Sequence, residues 1–552
     1  MHSIKRKWIC GFWHVRIVMM TVVLLFGVSG ITDAFEIPTG IDGVRLRWDN
    51  SFRYNYGVRI KDADPAIINA PNFDDGNRNF PNKGSIVTNR LDLLSEMDLV
   101  YKRDYGFRVS GAFWYDHAYD SLSGRNRPFS NHLENGVPSV GLSDYTKRYF
   151  LGPDGELLDA FIFGRLNLGP IPINFKAGRH CVYFGEALFA GGIMNGISYS
   201  QGPIDLAKAL AVPGAEAKEL FRPLWSVSVQ SQVLPTVSIV GQYFFEWEAN
   251  RFSEAGSYLS YNDALAYGGE FIWLGATQVL HAEDTEPKGG KDYGVAVHWG
   301  PRWMGGGRIG IYWRHFTDKM PQVHLNTSTF RYYFAYADDI DLYGISFIKE
   351  IFGWSCGLEY SYRENMPLSS STITVPIYVA GGDTRGARGD TQHVNFNFMR
   401  IFPGSPVYDT ATLTGEIYYS RWDRVTQGEN FFKGRSGYNT IDKVTKNAWA
   451  FAFGFTPTWY QVMEGWNLTM PISFNFGLSG NAATLAGTTS NAGSSSIGFN
   501  AIAFQKYNFN LAYIKYFGDF DVNEAGVATA NRGGNALLTD RDWVSFTFKV
   551  TF

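Results

Sequence analysis

The 552-residue sequence predicts an all-β chain: a transmembrane antiparallel β-barrel of about 18 strands, with 16 as the second count, and a short helical insertion in the lumen. Three observations predict it. Strand candidates alternate apolar and polar residues with period two, their connections alternate between long and short, and a last amphipathic segment stops on Phe552.

Composition agrees. Charged residues make up 18% of the chain, against roughly 25% in an ordinary soluble domain. Aromatics are 16% and Gly numbers 60, the mixture of many strands, many turns and rings set at a polar–apolar boundary. The net charge of -3 and the lack of basic runs argue against nucleic acid as a partner.

At the N-terminus, Lys5, Arg6, Lys7 and Arg16 precede an apolar stretch over residues 17–31, and Thr32-Asp33-Ala34 offers a small-residue cleavage site. This reads as a signal peptide over residues 1–34, cut after Ala34, leaving residues 35–552 as the barrel. Its removal takes four Lys or Arg and one Asp, so the formal charge moves from -3 to -6. No later stretch is long and apolar enough for a transmembrane helix, so spanning a bilayer requires a closed barrel that satisfies every backbone donor.

The first strand covers residues 44–60. Val44, Leu46, Trp48, Phe52, Tyr54, Tyr56 and Val58 share one face, while Arg45, Arg47, Arg53 and Arg59 lie on the other. A long polar loop leads to a strand over 87–101, whose polar face offers Asp92, Glu96 and Asp98. These seven charged residues are the expected lumen wall, opposite charges on neighbouring strands contributing about 0.2–1 kcal/mol per pair. The tight turn 103–106 follows, then a strand to residue 118.

From there the pattern repeats. Short connections are expected near 169–172, 234–235, 300–306, 352–353, 403–406, 461–465 and 506–507; long ones near 185–223, 250–291, 317–339, 364–391, 423–445, 479–495 and 518–540. Barrels of the outer membrane sort their loops this way, with periplasmic turns short and external loops long. Pro471 falls inside a candidate strand, where it cannot donate to the ladder. The closing strand alternates Val544, Phe546, Phe548, Val550 and Phe552 with Ser545, Thr547, Lys549 and Thr551, a signal for the barrel assembly machinery.

Residues 187–222 are expected to form a plug-like segment. Ala, Leu, Lys and Glu there favour helix, and Pro213-Gly214 would separate two short helices. A surface helix on the outer rim is the alternative to an inward fold. Catalytic, metal and cofactor patterns are not found: the mature chain holds no G-x-S-x-G, HExxH or P-loop. Asp74-Asp75-Gly76-Asn77 lacks the full spacing of a calcium loop, and Arg388-Gly389-Asp390 is expected in an external loop as a chance tripeptide. Cys181 and Cys356 are expected to be free and buried.

The run GRHCVYFGEALF from Gly178, followed by PIDLAKALAVPGAEAKELFRP to Pro223, resembles the bacterial outer-membrane family catalogued as domain of unknown function 1302. Residues 74–80 also resemble that family's first loop; the pattern departs at Arg179-His180, where a Gln is expected. The resemblance implies an outer-membrane barrel encoded beside a periplasmic lipid-carrier-like protein and an inner-membrane permease. Hydrophobic or lipid-like cargo is implied with them. The motif carries Arg179, Glu186, Asp205, Glu216, Glu219 and Arg222 as plug and lumen candidates.

The expectation is therefore a channel or transporter for small molecules in the bacterial outer membrane, gated by an internal segment, with membrane lipid as its surroundings. A barrel-anchored surface-binding or adhesion protein is the alternative. An enzyme is not expected.

Overall fold

The computed structural model describes residues 35–552 apart from 121, 123–129, 140, 213–216, 379–380 and 486. The expected signal peptide therefore lies outside the described residues. The wall is made of β1 (Val44–Arg59), β2 (Ile86–Tyr101), β3 (Tyr105–Asp116), β4 (Asp154–Leu168), β5 (Ile171–His180) and β6 (Leu224–Leu234). It continues through β7 (Val237–Phe244), β8 (Tyr293–Trp299), β9 (Arg308–Phe316), β10 (Ile340–Ile351), β11 (Trp354–Pro367) and β12 (Arg388–Phe402). β13 (Thr410–Gln427), β14 (Asn447–Met463), β15 (Trp466–Thr469 with Ile472–Ser479), β16 (Gly493–Ala503), β17 (Tyr507–Phe517) and β18 (Trp543–Thr551) complete it.

Each strand pairs antiparallel with its sequence neighbours, and β18 returns to β1 in the register Ser51↔Thr551 to Arg59↔Trp543. The sheet holds 20 strands; one is the short Phe35–Ile37 strand beside β1 and two are the halves of β15, which leaves 18 in a closed wall. Closure removes the unpaired edges that an open sheet would expose. The break in β15 falls at Met470-Pro471, where proline cannot supply its ladder donor. Its carbonyl instead accepts from Gly498 N–H at 3.0 Å.

Side chains alternate between two environments. Trp48, Phe113, Ile162, Ile311, Leu358, Phe396, Ile417 and Phe499 stand exposed on the outer face. Glu359, Ser361, Arg363, His393 and Asn395, on the opposite parity of β11 and β12, are buried inside. Exposed rings gather near the short turns (Tyr101, Trp299, Trp303, Phe352, Phe504) and again near the long loops (Trp225, Tyr243, Tyr343, Trp449). An apolar belt between two aromatic girdles is the surface that lipid requires. Among the described residues no helix is long and apolar enough to cross a membrane.

All the short connections lie at one end, from residues 102–104 to residues 504–506, and all the long ones at the other. The long connections cap their end. They build a five-stranded sheet of Phe271–Leu274, Thr277–His281, Arg331–Ala335, Gln322–Asn326 and Ile373–Val375. They also enclose apolar cores, one joining Phe80, Tyr119, Leu142, Tyr258 and Tyr516. The Arg388-Gly389-Asp390 tripeptide corrects its expected place: it begins β12, with both charged residues buried and Arg388 donating to Asn365 O. Of the two free thiols, Cys181 is exposed and Cys356 half-buried, which corrects the expectation that both are buried.

Candidate functional site in the barrel lumen

Between β5 and β6 the chain leaves the wall, and the described residues 181–212 and 217–223 lie in the interior. The path begins with Gly178, whose φ of +126° bends the end of β5, and Gly185, at φ +89°. A first helix, α1 (Ala190–Asn195), then lies against β12 and β13. The expected two helices are present as α2 (Leu206–Ala211) and α3 (Ala217–Leu220), so α1 is an addition that the helix-forming residues did not announce.

The wall holds this stretch by its backbone. Glu416 on β13 accepts from Phe189 N–H at 3.0 Å and Leu188 N–H at 3.2 Å. Glu359 on β11 accepts from Ile197 N–H at 3.1 Å and from Glu186 N–H. Donors come from the same wall: Arg363 to Gly196 O at 2.8 Å, Arg314 to Ile197 O at 2.9 Å and Asn395 to Gly192 O at 2.9 Å. A Cβ on Gly192 would collide with the Glu416 carboxylate, so glycine there permits the approach. The bonds donated by the two guanidinium groups are charge-assisted, a kind that contributes about 1.5–3 kcal/mol each.

Apolar packing backs the polar anchors. Ile193, Met194, Ile197 and Tyr199 share one buried cluster with Tyr312 and Phe316 of β9 and with Phe252 and Ala266 of the loop 245–292. Past Tyr199 the segment reaches across: Tyr516 on β17 donates to Leu210 O at 2.8 Å. Segment 181–223 thus joins β9–β13 to β17, and its stems return to β5 and β6.

A chain of ion pairs closes over the stems. Asp205 meets Arg251 (3.2 Å), Arg251 meets Glu156 (2.5 Å), and Glu156 meets Arg222 (3.6 Å). Arg222 then meets Glu248 (3.1 Å), and Arg179 meets both Glu248 and Glu246 (3.1 Å each). Burial alone would lower the Arg251 guanidinium, but Asp205 and Glu156 outweigh it and leave the group raised. Asp205 also caps α2, accepting from Lys208 N–H at 2.8 Å.

Of the six motif residues, the structure brings Arg179, Asp205 and Arg222 into this one chain. Glu186 stands apart, bonded to Arg308 at 2.8 Å and Ser346 at 3.2 Å, with burial raising its carboxyl despite the arginine. Glu219 pairs with Lys208 at 3.5 Å, and Glu216 lies outside the described residues. The reading from sequence missed Glu156, Glu246, Glu248 and Arg251, and also Glu359, Arg363 and Glu416. The alternation Leu358-Glu359-Tyr360-Ser361-Tyr362-Arg363 carried a signal for two of them, since a charge on the polar parity of a barrel strand points inward.

The expected lumen wall divides. Arg53 pairs with Asp92 at 3.1 Å, and Arg90 shares that carboxylate at 2.8 Å. Arg47 turns to Asp49 on its own strand at 2.6 Å, and Arg45 to Glu36 at 3.1 Å. Glu96 and Asp98 are both served by Arg108 of β3, not by the arginines of β1. Arg59 is fully buried beneath the long loops, donating to Asn77 at 2.8 Å and paired with Asp540 at 3.1 Å. Asp74 and Asp75 bring oxygens within 4.8 Å of Asp263. That group is knitted internally: Asp263 accepts from Asp75 N–H at 3.2 Å, and Asp75 from Asn131 N–H at 3.1 Å.

Below the insertion, on the short-turn side, lies a cavity of about 380 Å³. Arg103, Asp104, Phe163, Arg165, Asn174, Lys176, Cys181, Val182, Gln230 and Val240 contribute to its lining.

A closed barrel with an apolar exterior and a lumen crossed by one of its own connections defines the class: a membrane-type β-barrel with an internal segment. The chain belongs to the family described as "Protein of unknown function (DUF1302)", whose model matches residues 15–552. None of the curated proteins matches its sequence. Among solved structures it is similar to OccAB4 of Acinetobacter baumannii, at 8% identity and a TM-score of 0.42, over 92% of this chain and 98% of that one. It is similar to OpdK of Pseudomonas aeruginosa with vanillate, at 10% identity and a TM-score of 0.39, over 92% and 98%. A BenF-like porin from Pseudomonas fluorescens Pf-5 is similar at 8% identity and a TM-score of 0.40, over 93% and 98%.

Proposed function

We propose that the protein is an outer-membrane channel for small, hydrophobic or lipid-like molecules, and that segment 181–223 is its gate. One observation carries this reading: the segment stands inside the wall, joined to β11 and β13 on one side and to β17 on another. A connection that served only as a surface display would not need two buried wall carboxylates to hold its backbone. An 18-stranded wall encloses room for an aqueous path, so the segment determines how much of that path is open. The apolar exterior supports placement in a bilayer, and the loop sorting supports the outer membrane. A periplasmic lipid-carrier-like protein and an inner-membrane permease would act as partners on the short-turn side.

The test is single-channel conductance of the refolded protein in a planar bilayer. Deletion of residues 187–220 is expected to enlarge the unit step severalfold. Glu359→Gln with Glu416→Gln, which weakens the anchors and keeps the chain length, is expected to add open events. Equal conductance in all three proteins would overturn the gate and favour a barrel that anchors external loops for surface binding.

A further inference from the structure

The lumenal arginines of β1–β3 are matched with carboxylates: Arg53 with Asp92, Arg90 with Asp92, Arg108 with Glu96, Asp98 and Asp159. The cavity beneath the insertion breaks that pattern. Arg103, Arg165 and Lys176 all line it, Asp104 is the one carboxylate in the lining, and among the described residues none of the three cations forms an ion pair. Arg165 and Lys176 are exposed to the cavity, and Lys176 holds its ammonium over the Phe161 ring at 5.1 Å from the centroid.

Apolar groups stand in the same lining, beside the cations and the polar Asn174, Ser228 and Gln230. Val182, the second residue of the inserted segment, and Val240 belong to the packed cluster that seats the insertion, and Phe163 adds a ring. The volume of about 380 Å³ falls within the range of small-molecule sites, roughly 300–1,000 Å³. Cations without carboxylate partners, set next to apolar side chains, attract a solute with an anionic head and an apolar body.

We propose that this cavity binds small amphipathic monoanions, a carboxylate on a short acyl chain being the fitting chemistry. Arg165 and Lys176 hold the head, and Phe163, Val182 and Val240 cover the chain. The inference rests on the channel reading above and names its substrate class. Because Val182 belongs to the inserted segment, an occupant touches the base of the gate.

The experiment measures octanoate binding by calorimetry on the full-length protein in lipid nanodiscs, with empty nanodiscs subtracted. Octanamide and octylamine serve as neutral and cationic probes with the same tail. Octanoate is expected to saturate and to bind at least tenfold more tightly than either. Arg165→Gln with Lys176→Gln is expected to weaken it at least tenfold. Arg302→Gln, on the β8–β9 turn and outside the lining, is expected to leave it unchanged.

Octanoate that fails to saturate above empty nanodiscs, or that binds no better than octanamide, overturns the proposal on the unaltered protein. A double variant that keeps heat-modifiable mobility and full affinity also overturns it. Binding without any conductance change on deleting residues 187–220 would sink the gate and keep the site; the reverse pair of results would sink the site alone.

Discussion

Glu254 sits fully buried in the loop 245–292, its carboxylate accepting from Gly268 N–H at 2.6 Å. Burial pushes its carboxyl up to about 8, against an ordinary 4.5. Between those values the folded loop holds a proton that the unfolded chain has released, so docking of the loop weakens as pH rises through the window and levels off above it. Amide protection over residues 254–268, corrected for intrinsic exchange, is expected to fall from about pH 5 to about pH 8. Glu254→Gln should flatten that profile, and a slope unchanged in the variant would assign the effect elsewhere. At this scale the sequence was partly legible. Arg179, Asp205 and Arg222 stood out by motif, but their partners Glu156, Glu248 and Arg251 all lie outside the inserted segment, and no spacing announces a contact across 26 to 95 residues.

At the scale of elements, the ion-pair chain ties three pieces that would otherwise swing independently: the start of α2, the end of α3 and the loop after β7. Arg251 is its hinge, because it meets Asp205 and Glu156 together and stacks over Tyr149 at 4.7 Å. Arg251→Ala leaves Asp205 without a cation and Glu156 with Arg222 alone, at 3.6 Å. Because these groups are only partly buried, the loss falls below that of a fully buried pair, about 3–5 kcal/mol. The expected readout is faster hydrogen exchange over residues 199–212 with the wall strands unchanged. Equal slowing of exchange in both proteins would show that apolar packing alone seats α2. Strand periodicity and loop lengths were readable here, since they depend on neighbouring residues. The helix α1 was not, because AGGIMN contains two glycines and owes its shape to Glu416, Asn395 and His393 on the facing wall.

For the whole molecule, closure is the event on which the rest depends. β18 pairs with both β17 and β1, so it is the only strand that joins the two ends of the wall. Removing residues 543–552 would expose two unpaired edges, and edges cannot persist in lipid. Refolded protein lacking them is expected to run at one gel mobility whether heated or not, while the full chain shifts on heating. A retained shift would mean that β17 can pair with β1 directly.

The sequence by itself determined the barrel, its two faces and the sorting of its loops. These follow from period-two alternation and from the rule that every backbone donor in lipid needs a partner. Only the tertiary structure decided what fills the lumen. The anchors Glu359, Arg363 and Glu416 and the cations Arg165 and Lys176 read from sequence as ordinary polar positions on barrel strands. Curling the sheet into a cylinder determines which of them face the inserted backbone and which face open space.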